Sequence, residues 1–473
     1  MDVTICTVNH VRPYSLTHRP KPMKLSFKDQ LIPPYYSPLV LFYPMNDPTL
    51  SRTTSISNQL KWSLSKTLEE FYPLSGRIVD NHVVHGYQEG VPYTEARVKG
   101  RMLDFLAKPQ LERLNPLLPC QSFCLQEDPN VPQVGVQLNV FDCGGLALGI
   151  CLLHKLVDGG SARCFVGTWT SISRGSSNGI ILPNFDEASC LFPPQHPFPP
   201  QATQLFNNLW FDDSSGQRLS RRRFVFSGNA VDELRAKSRS KQVEYPTRTE
   251  AVQAFLLKSA MDASRSISNQ PKPTAIVQKV NIRPRTRPRL QMNSIGNLFD
   301  STMSYYCPTN GSDEINHAMK SLLGFYRNPN DIEENIRLDW LVALGRSGVA
   351  KIDDKYLKST MGDEGLAKTM ENLSLVTDLL EASKPDVYRF TSWLKSGFDV
   401  LDYGWGAPFW SALHGEASRD NPRNGPITVL KDYKPDQKDG AVEAWVEMEE
   451  VVMDMFEKDK EFLEFASPNP SVI

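Results

Sequence analysis

The sequence predicts an α/β protein built from more than one domain. Its 473 residues exceed the common size of a single domain and suffice for two or three. In both halves of the chain, segments with the apolar–polar alternation of strands are followed by segments with helical periodicity. Between Phe192 and Gln217, prolines cluster in a stretch with few periodic residues, which predicts an extended connection between the two halves.

The first half begins with a strand and a helix and then adds a hairpin and a second helix. The strands are predicted at Leu39–Tyr43, Val134–Phe141 and Leu146–Leu153, and the helices at Ile56–Phe71 and Ala162–Gly175. Because residues 146–153 are nearly all apolar, the second hairpin strand is expected to be deeply buried. The stretch His154–Gly160 is then the junction between a buried strand and a helix.

The second half also mixes strands with helices. Strands are predicted at Arg223–Phe226, Ala275–Val280 and Val442–Met448, and helices begin at Val231, near Thr247 and after Met448. Thr247 and Glu250 have the spacing of a capping box, which supports the second of these helices. The predicted organisation is therefore a domain over 1–191, a connecting segment over 192–220 and a second domain over 221–473.

Composition excludes several kinds of partner. With 52 basic and 54 acidic side chains the formal charge is −2, so neither nucleic acid nor an anionic membrane is an expected partner. The start of the chain lacks the pattern of a signal peptide, and the longest apolar run, Leu146–Leu153, is too short to span a bilayer. These features predict a cytoplasmic protein. The eight cysteines form no CxxC pair, so we expect reduced thiols and no metal site.

Three common motifs are incomplete or better explained otherwise. Gly404-Trp405-Gly406 is followed by Phe409 where a dinucleotide cradle requires a third glycine. Ser161 lacks the later glycine of a nucleophile elbow and is more simply the start of a helix. The three adjacent arginines at 221–223 could bind phosphate, but a solvated strand entrance is the commoner explanation.

His154 is the best candidate for a catalytic side chain. It follows a predicted buried strand and precedes Asp158 and two glycines, a position from which an imidazole can project from a rigid sheet into a cleft. With an ordinary pKa of about 6.5, a neutral imidazole is a good proton acceptor near neutral pH. The alternative is a structural histidine at the end of a strand, and His154 alone does not separate the two interpretations.

Two motifs decide between them because together they resemble those of a known family. His154-Lys155-Leu156-Val157-Asp158-Gly159 and Asp402-Tyr403-Gly404-Trp405-Gly406 are similar, in order and separation, to the HxxxD and DFGWG motifs of the plant BAHD acyl-CoA-dependent acyltransferases. Supporting signatures are Tyr72–Arg77, Gly90-Val91-Pro92 before Glu95-Ala96, Asn281 with Arg283, and Gly296-Asn297. At 182–186 and at Ser392-Trp393 the chain resembles the branch containing vinorine synthase and deacetylvindoline acetyltransferase.

The resemblance implies a fold and a reaction. The fold would be two α/β domains like chloramphenicol acetyltransferase, with mixed sheets flanked by helices and the active-site channel between them. The substrates would be acetyl-CoA, with no tightly bound cofactor, and a hydroxyl of an alkaloid or terpenoid, each entering one face of the channel. His154 would take the hydroxyl proton as general base during direct transfer, for which a monomer suffices.

The resemblance also suggests roles for the other motif residues. Asp158, beside Gly159, is expected to pair with Arg283, because Asp–Arg pairs are strong when bidentate. Asp402 is sometimes treated as part of the active site in this family, but glycines around a tryptophan favour a tight backbone corner instead. The residues of that corner are Asp402, Tyr403, Gly404, Trp405 and Gly406. Tyr403 replaces the usual phenylalanine, which keeps the ring and adds a hydroxyl that needs a partner or solvent; we expect little consequence.

Cofactor contacts are expected at four positions. The helix start at Thr247, together with Lys258, is expected near the phosphates of coenzyme A, because a helix N-terminus is a natural anion site. The alternative interpretation of Lys258 is a solvent-exposed lysine on the helix surface. Ser392 or Trp393 is the candidate donor to the oxyanion of the tetrahedral intermediate, and both could equally be core residues.

Other functions share these motifs. The chain could use a bulkier or malonyl acyl-CoA, or an amine acceptor, or it could be a catalytically silent relative that binds a ligand. A peptide-synthetase condensation domain usually has two adjacent histidines before the motif, whereas Leu153 precedes His154 in this sequence.

Overall fold

Two large β-sheets carry the fold of the computed structural model. The structure describes residues 2–16, 21–45, 50–122, 125–126, 130–212, 219–308, 322–325, 336–413, 423–424, 427–433 and 440–473. The strands of the first half are β1 Val3–Val11, β2 Met23–Lys24, β3 Tyr36–Tyr43, β4 Arg77–Val79, β5 Val83–His85, β6 Val91–Val98, β7 Val134–Phe141 and β8 Leu146–Leu153. Its helices are α1 Phe27–Leu31, α2 Leu50–Glu70, α3 Met102–Ala107, α4 Gly159–Ser173 and α5 Glu187–Leu191.

The second half contributes the remaining elements. Its strands are β9 Phe211–Asp212, β10 Leu219–Phe226, β11 Thr274–Asn281, β12 Phe299–Tyr306, β13 Gly324–Phe325, β14 Asp386–Ser392, β15 Trp410–Ala412, β16 Arg423–Asn424, β17 Ile427–Asp432, β18 Val442–Glu449 and β19 Ala466–Pro468. Its helices are α6 Pro200–Trp210, α7 Gly228–Lys237, α8 Arg248–Ser268, α9 Leu338–Ala350, α10 Asp354–Ser359, α11 Gly365–Ser383, α12 Glu450–Phe456 and α13 Lys460–Phe465.

Both large sheets are mixed. The first has the strand order β1-β6-β7-β8-β3-β15 and the second the order β13-β12-β11-β14-β17-β18-β10-β19. Strands β6 and β7 are parallel in the first sheet, and β11, β14 and β17 are parallel in the second, while most other neighbours are antiparallel. The predicted α/β class with mixed sheets is confirmed. Among the described residues, no helix is both long enough and apolar enough to cross a membrane.

One strand of the first sheet comes from the second half of the chain. Strand β15 pairs with β3, with Trp410 opposite Phe42 and Ala412 opposite Val40. Tyr403 and Trp410 accordingly lie in the core around the first sheet. The sequence could not predict that a strand from the second half joins the first sheet, because β15 is only three residues long and shows no apolar–polar alternation. The domain bounds given above stay a prediction.

Part of the connecting stretch is helical, where the sequence predicts an extended segment. Helix α6 buries Ala202, Phe206, Leu209 and Trp210 against the second sheet. These residues have the four- and three-residue spacing of one helical face. The neighbouring prolines hide that spacing, because only the first residue of α6 is a proline, a position that helices tolerate.

A buried charge cluster joins the two sheets. Glu443 on β18 is fully buried and forms ion pairs with Arg223 (3.2 Å) and Lys431 (3.8 Å). It also accepts hydrogen bonds from the indoles of Trp445 (2.7 Å) and of Trp410 on β15 (3.3 Å). Burial opposes the charged form, but Arg223 and Lys431 outweigh it and lower the pKa of Glu443. The predicted solvated strand entrance at 221–223 is therefore wrong for Arg223, which is fully buried.

We expect Glu443→Ala to destabilise the fold by about 3–5 kcal/mol, because it leaves the buried Arg223 without a counter-charge and removes one of the two carboxylates that pair with Lys431. The free energy of unfolding from urea denaturation measures this loss. Glu233→Ala is the control, since Glu233 forms only an exposed pair with Lys237, and its cost should stay within about 0.5 kcal/mol. Equal losses in the two variants would contradict the role of the cluster.

Candidate active site

His154 is held at the end of the most buried strand of the first sheet. Every residue of β8 is buried, and the backbone N–H of His154 donates to the carbonyl oxygen of Tyr35 (2.8 Å). The imidazole lies between two rings, with centroid distances of 5.0 Å to Tyr35 and 5.9 Å to Phe299. Both the backbone and the ring of His154 are thereby fixed, as a catalytic group requires.

The imidazole faces a cavity of about 310 Å³ between the two sheets. Its walls come from both halves of the chain: Tyr35, His154 and Arg163 from the first, and Lys279, Phe299 and Trp393 from the second. Hydrophobic and aromatic side chains with a few polar groups are typical of a small-molecule site. The cavity matches the channel between the halves that the family resemblance implies.

Asp158 holds the junction after His154 and does not have a free carboxylate. As the N-cap of α4, it accepts from the backbone N–H of Ser161 (2.8 Å) and also from that of Leu298 (3.1 Å). Arg283 forms the expected bidentate pair with it, at 2.6 and 2.9 Å. Burial opposes ionisation, but Arg283 prevails and lowers the pKa of Asp158. Asp158 is therefore a buried anion with all its acceptor capacity engaged.

Asn297 fixes the backbone of His154 itself. Its amide nitrogen donates to the carbonyl oxygens of His154 (2.9 Å) and Lys155 (3.1 Å), and to the carboxylate of Asp29 (2.9 Å). Asp29 is fully buried and forms a capping box with Ser26 at the start of α1. Sequence reasoning identified Asn297 only as part of a supporting motif and did not identify Asp29. The spacing of Ser26 and Asp29 is that of a helix cap and was the available signal.

The electrostatic surroundings keep the imidazole of His154 neutral. Burial, and then the positive charge of Lys279, lower the pKa of His154 to about 3. Nδ1 is buried without a hydrogen-bond partner among the described residues, and so is Oδ1 of Asn297. A neutral imidazole at physiological pH is able to accept a proton.

The predicted cofactor contacts fall into two groups. Ser392 and Trp393 line the cavity, and the hydroxyl of Ser392 lies 3.5 Å from that of Thr249 in the first turn of α8. Thr247 is the N-cap of that helix, in a capping box with Glu250, so the start of α8 adjoins the cavity wall. Lys258, farther along α8, does not line the cavity. It forms ion pairs with Glu461 (2.8 Å) and Asp262 (3.3 Å).

The second motif is not brought to the cavity. Asp402 accepts from the backbone N–H groups of Gly404 and Gly406, both at 2.8 Å, and closes a loop on itself. The two glycines have φ of 115° and 100°, values that side chains disfavour. Tyr403 is fully buried against Trp169, at 4.9 Å between ring centroids, and its hydroxyl has no partner among the described residues. This geometry supports the backbone-corner interpretation of the motif over a catalytic one for Asp402.

Comparison with known proteins places the chain in one family. The model described as the Transferase family matches residues 1–463. Akuammiline synthase 2 from Alstonia scholaris is 32% identical, covering 100% of this chain and 98% of the relative. Limonoid 7-O-acetyltransferase from Citrus sinensis is 30% identical, covering 99% of each. The crystal structure of vinorine synthase is similar over 100% of both chains, with a TM-score of 0.76 and 28% identity.

The chain therefore belongs to the Transferase family, the acyl-CoA-dependent acyltransferases that its motifs resemble. The predicted resemblance and the predicted two-part α/β fold are both confirmed by these matches.

We expect Asp158→Ala to destabilise the protein by about 3–5 kcal/mol, because Arg283 is left as an unpaired buried charge. Asp158→Asn keeps an acceptor for the helix cap and should lose less. Urea denaturation measures both. Asp186→Ala is the matched control, since Asp186 is exposed at the start of α5 and caps nothing with its side chain. A wild-type unfolding curve for Asp158→Ala would refute the role of the pair.

Proposed function

We propose that the protein transfers an acetyl group from acetyl-CoA to a hydroxyl of a plant alkaloid or terpenoid, with His154 as general base. The observation that carries the proposal is the fixed, neutral imidazole of His154 facing a cavity between the two sheets. Family membership supports the acyl transfer. The acceptor class is supported by two relatives, one named for an alkaloid and the other for acetyl transfer to a limonoid.

The reaction needs one base and one leaving group. The imidazole of His154 takes the hydroxyl proton while the acceptor oxygen attacks the thioester carbonyl, forming a tetrahedral intermediate. The carbon–sulfur bond then breaks, and the proton held on the imidazole passes to the sulfur, so coenzyme A leaves as the thiol. Both substrates are bound together and the enzyme carries no acyl group.

The negative charge of the tetrahedral intermediate requires hydrogen-bond donors. The Ser392 hydroxyl and the Trp393 indole are the proposed donors because both residues line the cavity with His154. Trp393 packs against Phe398, at 5.1 Å between ring centroids, which limits the freedom of its indole. Asp158 and Arg283 act on the reaction only through the position of the loop that follows His154.

Acetyl-CoA is proposed to approach along the start of α8. The free backbone N–H groups at a helix N-terminus favour phosphate, and Thr247 marks that terminus. Lys258 would have to leave Glu461 and Asp262 to bind the same phosphates, so Thr247 is the better supported of the two contacts. We also propose that the protein acts as a cytoplasmic monomer without a tightly bound cofactor.

His154→Ala should lower kcat/KM by about 10²–10⁴, the usual contribution of a general base, with little change in stability. The assay is release of coenzyme A thiol from acetyl-CoA, with mass detection of the acetylated product from a panel of alkaloid and terpenoid alcohols. His10→Ala is the matched control because His10 is exposed on β1. Unchanged turnover in the His154 variant would remove the base assignment.

The pH profile should lack the acidic limb of an ordinary histidine. Because the pKa of His154 is lowered to about 3, the base stays neutral as the pH falls from 7.5 to 5. We therefore expect a nearly constant kcat/KM over that interval and a decline only below it, where the imidazole becomes protonated. An apparent pKa near 6.5 in kcat/KM would contradict the described surroundings of His154.

A further inference from the structure

Lys279 is a cation in the cavity wall that neither the mechanism nor the motifs use. It lies on β11, an interior strand of the second sheet, and is half-buried. The residue lines the same cavity as His154, and its charge acts on that imidazole. Placing an ammonium on an interior strand is unfavourable unless something compensates for the lost water.

Aromatic rings supply part of the compensation. The ammonium of Lys279 lies 4.4 Å from the ring centroid of Trp210 and 4.8 Å from that of Phe299. Trp210 is fixed by a hydrogen bond from its indole to the hydroxyl of Ser301 (3.0 Å). Phe299 also contacts the imidazole of His154, so the ammonium and the imidazole lie against the same ring. Aromatic rings stabilise a cation through their faces, but they do not accept hydrogen bonds from it as an anion does. The N–H donors of the ammonium are therefore not satisfied by these rings.

No carboxylate of the described chain pairs with Lys279. Asp158 is the one acidic side chain among the described residues that line the cavity, and both of its oxygens are engaged by Arg283. The other buried lysines have acceptors: Lys28 pairs with Asp300, Lys155 donates to the carbonyl oxygens of Gln30 and Ile32, and Lys431 pairs with Asp399. Lys279, which is half-buried, lines the substrate cavity and has no carboxylate partner among the described residues.

The charge of Lys279 and the polarity around it indicate which ligand group would bind there. A protonated amine would be repelled by the ammonium inside a cavity of low polarity. A phosphate is commonly bound by several cations at once. Of the other cations in the wall, Arg283 is occupied by Asp158, Arg163 donates to the carbonyl oxygen of Ser396, and Lys395 is exposed. A single carboxylate matches one lysine in both charge and hydrogen-bonding capacity.

We propose that Lys279 is a specificity-determining residue that binds a carboxylate carried by a substrate, so that the enzyme prefers acidic substrates over neutral or cationic ones. The inference rests on the proposed function, since it concerns the same cavity. The carboxylate has two possible sources: the acceptor alcohol, or the free end of a dicarboxylic acyl group such as malonyl. The chemistry at Lys279 is the same for both, and the experiment separates them.

The first arm varies the acceptor. Hydroxylated triterpenoids and indole alkaloids are supplied as matched pairs, the free acid and its methyl ester, with acetyl-CoA as donor. We expect the wild type to favour the acid by at least about tenfold in kcat/KM in at least one pair. Lys279→Met should abolish that preference, whereas Lys279→Arg, which keeps the charge, should retain most of it.

The second arm varies the acyl donor. Malonyl-CoA and acetyl-CoA are compared with the methyl ester acceptors, which carry no free carboxylate. A preference for malonyl-CoA that disappears in Lys279→Met assigns the carboxylate to the acyl group instead of the acceptor. Lys241→Met is the matched control, because Lys241 is exposed outside the cavity and should leave both ratios unchanged.

Equilibrium binding measurements test the carboxylate site independently of the proposed acyl transfer. If the wild type acylates no acceptor, the proposed function fails, and the affinities of the same acid and ester pairs are then measured by calorimetry. Tighter binding of an acid that is lost in Lys279→Met still supports the carboxylate site. Equal treatment of every pair by the wild type, or a preference unaffected by Lys279→Met in a variant that unfolds like the wild type, overturns it.

Discussion

The buried pair of Asp158 and Arg283 is the interaction on which the site depends. It joins the loop after β8 to the segment after β11, and so connects the two sheets beside the cavity. The same carboxylate caps α4 and accepts from the backbone at Leu298, which leads into β12. Since a buried ion pair is costly to break and specific in geometry, it fixes how the halves meet around His154.

Local polarity then sets the charge of the two motif residues in the cavity. His154 is kept neutral by burial and by Lys279, whereas Asp158 is kept charged by Arg283. The two motif residues therefore differ in charge although they are four positions apart: the imidazole of His154 is neutral, and the carboxylate of Asp158 is ionised with its acceptors engaged. Lys279 is charged but lacks a counter-ion in the described chain, which gives the cavity an excess of positive charge.

Much of the fold could be predicted because its longest elements have clear periodicity. The buried strand β8, the capping box at Thr247 and the end of the sheet at His154 all follow from local pattern. The pair of Asp158 and Arg283 required the family resemblance, since 125 residues separate its members. Helix α6 was hidden by neighbouring prolines, and the buried Arg223 by the general rule that clustered charges are solvated.

The sequence by itself determined the class of the protein, the strand that carries His154, and the glycine-dependent corner around Tyr403, because these depend on local periodicity, residue type and motif order. Only the tertiary structure decided that β15 crosses to the first sheet, that Asp29 and Asn297 hold the backbone of His154, and that Lys279 lies in its cavity. Those facts depend on which distant segments pack together. Packing is a property of the whole buried surface, so no single stretch of the chain encodes it.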